Sequence, residues 1–182
     1  MPVTTTNLIQ GPASLWVAAF GAAEPATPNT APAVAWVDCG GTQDGVALTV
    51  EQEFSLLTVD QILDNAGATR SKRSAKIKTN LAEATLANWA VALNELPASV
   101  AAGSFEPVNG NVTAAFVTPY NAVLLRGLGP NGVPRDVILR RALQTGSSES
   151  SYKRDSQTLI PVEFECFYVS TTVKPFKLTD GT

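Results

Sequence analysis

Gly45 to Phe54 reads GVALTVEQEF, and its period is two. Val46, Leu48, Val50 and Phe54 share one side, while Ala47, Thr49, Glu51 and Glu53 share the other. Side chains of an extended chain alternate between faces, so this run is a strand with one apolar and one polar face. A second run repeats the pattern: Ala75, Ile77, Thr79 and Leu81 oppose Lys76, Lys78 and Asn80. LIPVEFECFYVS does so again, with Ile160, Val162, Phe164, Cys166 and Tyr168 opposing Pro161, Glu163, Glu165, Phe167 and Val169.

Working outward, SLWVAAFG (14–21) reads as a first strand, and VAWVDCGG (34–41) as a short one broken at Gly40-Gly41. Between them Pro25, Pro28 and Pro32 exclude a helix or a central strand, so 22–33 is a loop. Leu86, Trp89, Ala90 and Leu93 recur at helical spacing, which predicts an amphipathic helix of about three turns that Pro97 stops. Strands follow near 121–127 and 135–144, joined by the hairpin turn GLGPNG, and 145–157 is a polar loop. Seven to nine strands with one helix predict a single mainly-β domain over 1–182, two packed antiparallel sheets or a partial barrel flanked by the helix.

Composition narrows function. Charged residues are 16% of 182, low for a soluble monomer and suited to a surface buried against other copies. A net charge of −3 removes a general nucleic-acid-binding footprint. The chain has no histidine, so the common triads, most zinc sites and the commonest general base are absent. No catalytic residue, cofactor or metal is expected, and the protein is read as not an enzyme. Cys39 and Cys166 follow no metal spacing and are read as two free thiols. Trp16, Trp36 and Trp89 are read as core residues. The N-terminus carries no secretory-signal pattern, and no run reaches the roughly 20 apolar residues of a membrane helix.

Two features stay open on the residues alone. Arg70, Lys72 and Arg73 read as a solvated loop, as a loop meeting acid on another subunit, or as a phosphate contact. Glu51 with Glu53, and Glu163 with Glu165, form polar faces that are either ordinary sheet surface or an acidic wall balanced in part by Lys76 and Lys78.

The order W-V-D-C-G-G-T-Q-D-G-V, an alternating strand, V-D-Q, K-I-K-T-N-L-A-E and T-L-A-N-W-A-V-A-L-N resembles the major tail tube proteins of long-tailed (siphovirus-like) bacteriophages over Trp36–Asn94. The resemblance implies a structural virion protein of the phage tail, assembled in the host cytoplasm as hexameric rings stacked into a hollow tube. Tape measure, tail terminator and distal tail proteins are the implied partners. DNA would pass through the lumen during ejection without specific binding, and no membrane is involved. Residues 61–75 would be an extended hairpin loop reaching an adjoining ring, with Asp60, Gln61, Arg70, Lys72 and Arg73 as contact candidates. Glu51, Glu53, Glu163 and Glu165 would face the lumen; 1–13 would be an N-terminal arm and 171–182 a C-terminal extension. The inner tube of a contractile tail or injection system is the related alternative. A monomeric β-sandwich binding module is the alternative of another class.

Overall fold

The alternating runs pair with one another because each has one face to hide. A computed structural model describes residues 3–101, 103–107 and 120–181, in which they are strands of one antiparallel sheet. The first two residues of the expected arm and the last of the expected extension lie outside the described residues. The strands are β1 (Ser14–Ala19), β2 (Val37–Asp38), β3 (Thr42–Leu57), β4 (Gly67–Leu81), β5 (Asn121–Leu128), β6 (Pro134–Gln144), β7 (Ile160–Cys166) and β8 (Phe176–Asp180). One α-helix, α1 (Leu86–Ala92), follows β4. The mainly-β reading with a single helix therefore holds among the described residues.

The hydrogen-bonded order is β2-β1-β5-β6-β7-β4-β3, and β8 also pairs with β6. β6 is where the two expected layers become one path. One of its edges pairs with β5; the other takes β8 along Arg135–Leu139 and then β7 along Ala142–Gln144. A single core cluster draws Leu15, Val17, Val123 and Leu139 from one half of the sheet and Ile77, Leu81, Ile160, Val162 and Phe164 from the other. The opposite face of the first half carries a second cluster, Ala18, Trp36, Ala122, Leu124 and Ile138, with Trp16 packed on it. Strands of this half are therefore buried on both faces, which explains the unbroken apolar run Ala122–Leu125. Trp36 is buried and Trp16 and Trp89 pack against the clusters, as read.

α1 is shorter than its spacing predicts, and it is turned. Thr85 caps it by accepting a hydrogen bond from the Asn88 amide at 3.2 Å. It ends at Asn94, whose φ of 64° is left-handed, before Pro97 is reached. The Asn94 amide donates to the Val91 carbonyl and the Glu95 amide to the Ala90 carbonyl, the paired bonds of a Schellman cap. Its buried residues are Asn88, Ala90, Val91 and Ala92, whereas Leu86 and Leu93 are 40% and 45% exposed. The expected stripe is corrected accordingly: the polar Asn88 faces inward because Nδ2 donates to the Cys39 and Glu83 carbonyls at 2.9 and 2.8 Å.

Two boundaries also move. β4 begins at Gly67, so Arg70, Lys72 and Arg73 lie in a strand and the hairpin turn is confined to 58–66. Residues 176–180 of the expected extension are β8, held to β6 by five paired positions.

Candidate assembly surfaces

β7 pairs with β4 only over Lys76–Leu81, whereas β3 pairs with β4 from Thr42 to Leu57. Past Ala75 the two strands therefore leave the sheet as a two-stranded arm. Its β3 side, 50–57, spans about 25 Å at ~3.3 Å per residue. All of 50–66 is exposed, including Val50, Phe54, Leu56, Leu57, Ile62 and Leu63. Among the described residues β3 has no partner beyond β4, so its outer edge is open along 16 residues.

The arm carries a bulge that splits the basic run. Glu53 faces Lys72 and Phe54 faces Arg70, which leaves Ser71 as the extra residue. Lys72 then points with Glu53, at 3.6 Å. Arg70 and Arg73 take the other face: Arg70 donates to Gln52 Oε1 at 3.1 Å, and the Arg73 guanidinium lies 5.3 Å from the Phe176 ring centre. The expected basic loop is thus not one patch and does not reach the tip. Asp60 and Gln61 do sit in the turn, and with Asp64 they make that tip acidic.

The four candidate glutamates do share a face. Glu51, Glu53, Glu163 and Glu165 lie opposite the apolar row Val46, Leu48, Ala75, Ile77, Val162 and Phe164, on the side that also carries Lys72, Lys76 and Lys78. Lys76 Nζ sits 3.4 Å from Glu163 and 3.7 Å from Glu165; Lys78 is 3.8 Å from Glu163. The hydrogen bond to Glu163, then the charge of Glu165, holds the Lys76 ammonium above its ordinary range. Across β3, β4 and β7 four carboxylates stand against three ammoniums, so this face is a ladder of alternating sign and not an acidic wall.

The proline-rich segment 22–33 is fastened across the second cluster by arginine forks. Arg126 holds Asp136 bidentately at 2.7 and 2.8 Å and donates to the Thr30 carbonyl at 2.8 Å. Arg140 holds Glu24 in the same manner and donates to the Lys174 carbonyl. The Trp36 indole donates to the Ala23 carbonyl at 2.8 Å. Alternation breaks at Arg140-Arg141: a bulge against β5 puts both Leu139 and Ala142 in the main core, and the Arg141 guanidinium lies 3.8 Å from the Tyr120 ring centre and 5.8 Å from that of Phe20.

The residues that carry the tail-tube resemblance meet around the start of α1. Asp38 Oδ1 accepts from the Gly40 amide at 2.9 Å, and Glu83 Oε1 from the Gly41 amide at 3.0 Å. Gly40 has a φ of 77°, and a Cβ there would stand 2.3 Å from the Glu83 carboxylate. An L side chain at Gly40 is strained by that backbone and would push the Glu83 carboxylate away from the Gly41 amide. Cys39 is buried, its thiol pushed up to about 12 by burial, and Cys166 is likewise pushed up to about 11; both are free. Among the described residues no three metal-capable side chains come together, and no helix is long and apolar enough to cross a membrane.

No family model matches the chain, and neither does any curated protein. Among solved structures, the chain is similar to one from the cryo-EM structure of the anti-feeding prophage (AFP) baseplate, 6-fold symmetrised, at 11% identity and a TM-score of 0.45. The likeness covers 98% of this chain and 97% of that one. A TM-score of that size assigns no role.

Sequence reasoning missed the arm's apolar surface. The alternation of β3 was visible, but its third-strand partner stops at Lys76, and nothing in the β3 sequence shows where β7 ends.

Proposed function

We propose that this chain is a self-assembling structural subunit of a phage-like tail: a tail tube protein whose rings stack into a hollow conduit, with no chemistry of its own. One observation carries the reading. Among the described residues β3 is a 16-residue strand with an open edge and exposed apolar side chains, a liability in a monomer and a pairing surface in a polymer. Soluble monomers blunt such edges with charge, proline or a covering loop. Here Val50, Phe54, Leu56 and Leu57 remain in the open.

Edge-to-edge pairing of a strand with a different edge of the next copy is heterologous, and such contacts close into rings or run on as filaments. The tail-tube resemblance over Trp36–Asn94 supplies the particular arrangement, hexameric rings that stack. In that arrangement the glutamate and lysine ladder is the lumen candidate. Its alternating signs offer a passing duplex no continuous cationic track, which suits a conduit that must not hold its cargo.

The test is velocity sedimentation of the purified chain across a wide concentration range. Rings and longer particles are expected at high concentration. A monomer throughout would overturn the reading and favour the binding-module alternative.

A further inference from the structure

One cavity and one loop have matching chemistry. A cavity of about 230 Å³ opens between the proline-rich segment and the outer face of the sheet. Phe20, Trp36, Ala122, Ile138, Val169 and Val173 make its walls mostly apolar, and the Glu24–Arg140 pair closes one side. A cavity of roughly 150 Å³ already takes a benzene-sized group, so a branched aliphatic side chain fits. Its surroundings are basic. Lys177 is paired across the sheet with Ile138 and is close enough to lower the Glu24 carboxyl, and the Lys174 carbonyl is held by Arg140. Two cations, Arg140 and Lys177, stand against the single carboxylate of Glu24, and a third, Lys174, follows the wall residue Val173 in the chain.

The arm tip is the complement. Residues 58–66, TVDQILDNA, hold Asp60 and Asp64 and no cation. Leu63 is 107% exposed between them, so it packs on none of the described residues. An apolar knob flanked by acid and an apolar hole flanked by base lie on different parts of one molecule. That pairing is heterologous and repeats from copy to copy.

We propose that the cavity beside the proline-rich segment receives the arm tip of a second copy, with Leu63 as the seated side chain and Asp60 and Asp64 facing Arg140, Lys174 and Lys177. The contact rests on the self-assembly reading and names its lock and key. It also gives the arginine forks a purpose, since Arg140 fixes both Glu24 and the Lys174 backbone and so holds the mouth open in one shape.

The test uses two surface variants of the full chain, Leu63→Ser in the tip and Val173→Glu at the mouth, alone and in equimolar mixture. Both positions are exposed, so thermal unfolding should match the unmodified chain. Each variant alone should associate about tenfold or more weakly, the scale of failing to bury one leucine. The mixture should form a discrete pair, because Val173→Glu retains an intact tip and Leu63→Ser an intact cavity. Added salt should weaken that pair, since opposite charges steer it. If both variants assemble like the unmodified chain, the lock and key is wrong while self-assembly stands. If both are weakened but the mixture yields no pair, the tip and the cavity do not meet and the proposal fails. A chain that is monomeric in unmodified form overturns the contact together with the assembly reading.

Discussion

Asn94 shows how much one residue can hold. Its left-handed backbone ends α1, its Nδ2 donates to the Gln144 carbonyl at 3.0 Å, and its Oδ1 accepts from the Gln144 amide at 2.5 Å. The end of the helix is thereby tied to the end of β6. Asn94→Ala puts a residue that disfavours the left-handed region where asparagine is tolerated and removes both bonds, so urea unfolding should show a loss of about 2 kcal/mol. Asn94→Gly keeps the backbone and loses only the bonds; it should be the milder change. Equal losses would show that the left-handed turn contributes nothing. Glu24 makes a second claim at this scale. The hydrogen bond from Arg140 holds its carboxyl below the ordinary 4.5, against the opposing effect of burial. A depressed carboxyl contributes stability that is present above the ordinary value and lost as pH falls through the folded-state value. Thermal unfolding between about pH 6 and pH 3 should therefore fall less steeply for Glu24→Gln than for the unmodified chain. Parallel curves would mean that the fork does not couple to folding.

Among the elements, the arm is the part most separable from the core. Residues 50–66 are exposed, and the bulge at Ser71 leaves Gln52 and Arg73 directly paired below it. Replacing Glu53–Lys72 with Asn-Gly closes the ladder with a two-residue hairpin turn suited to the twist of the strands. The shortened chain should melt within a few degrees of the original, because no residue of the main core is removed, and it should lose assembly. A collapse of the melting temperature would show that the arm supports the core. The strands themselves were legible in sequence wherever one face is apolar and the other polar, as at Gly45–Phe54, Ala75–Leu81 and Ile160–Cys166. The shared face of the four glutamates followed from the same alternation. What escaped was set by partners distant in the chain. Asn88 is buried only because Cys39 and Glu83 offer it carbonyls, so helical spacing wrongly put Leu86 and Leu93 on the inner side. Gly67 to Arg73 reads as a flexible basic loop because glycine, serine and lysine are poor strand formers, yet β3 supplies a partner for the whole stretch apart from Ser71.

For the whole molecule, the surfaces left open are more telling than the core. The core is closed by both halves of one sheet and by α1, and the arginine forks fix the proline-rich segment over the other face. Against that finished body stand a long strand edge that is open among the described residues, an apolar arm with an acidic tip and a basic-rimmed cavity. The arm tip and the cavity lie at different places on the molecule, which is the requirement for the repeating contact proposed above. The low charge content fits the same picture, since interface cores are depleted in charge. The most direct measurement is negative-stain imaging of the purified chain at high concentration. Rings or tubes of uniform bore are the predicted result, and a field of single particles at every concentration and salt would contradict the account.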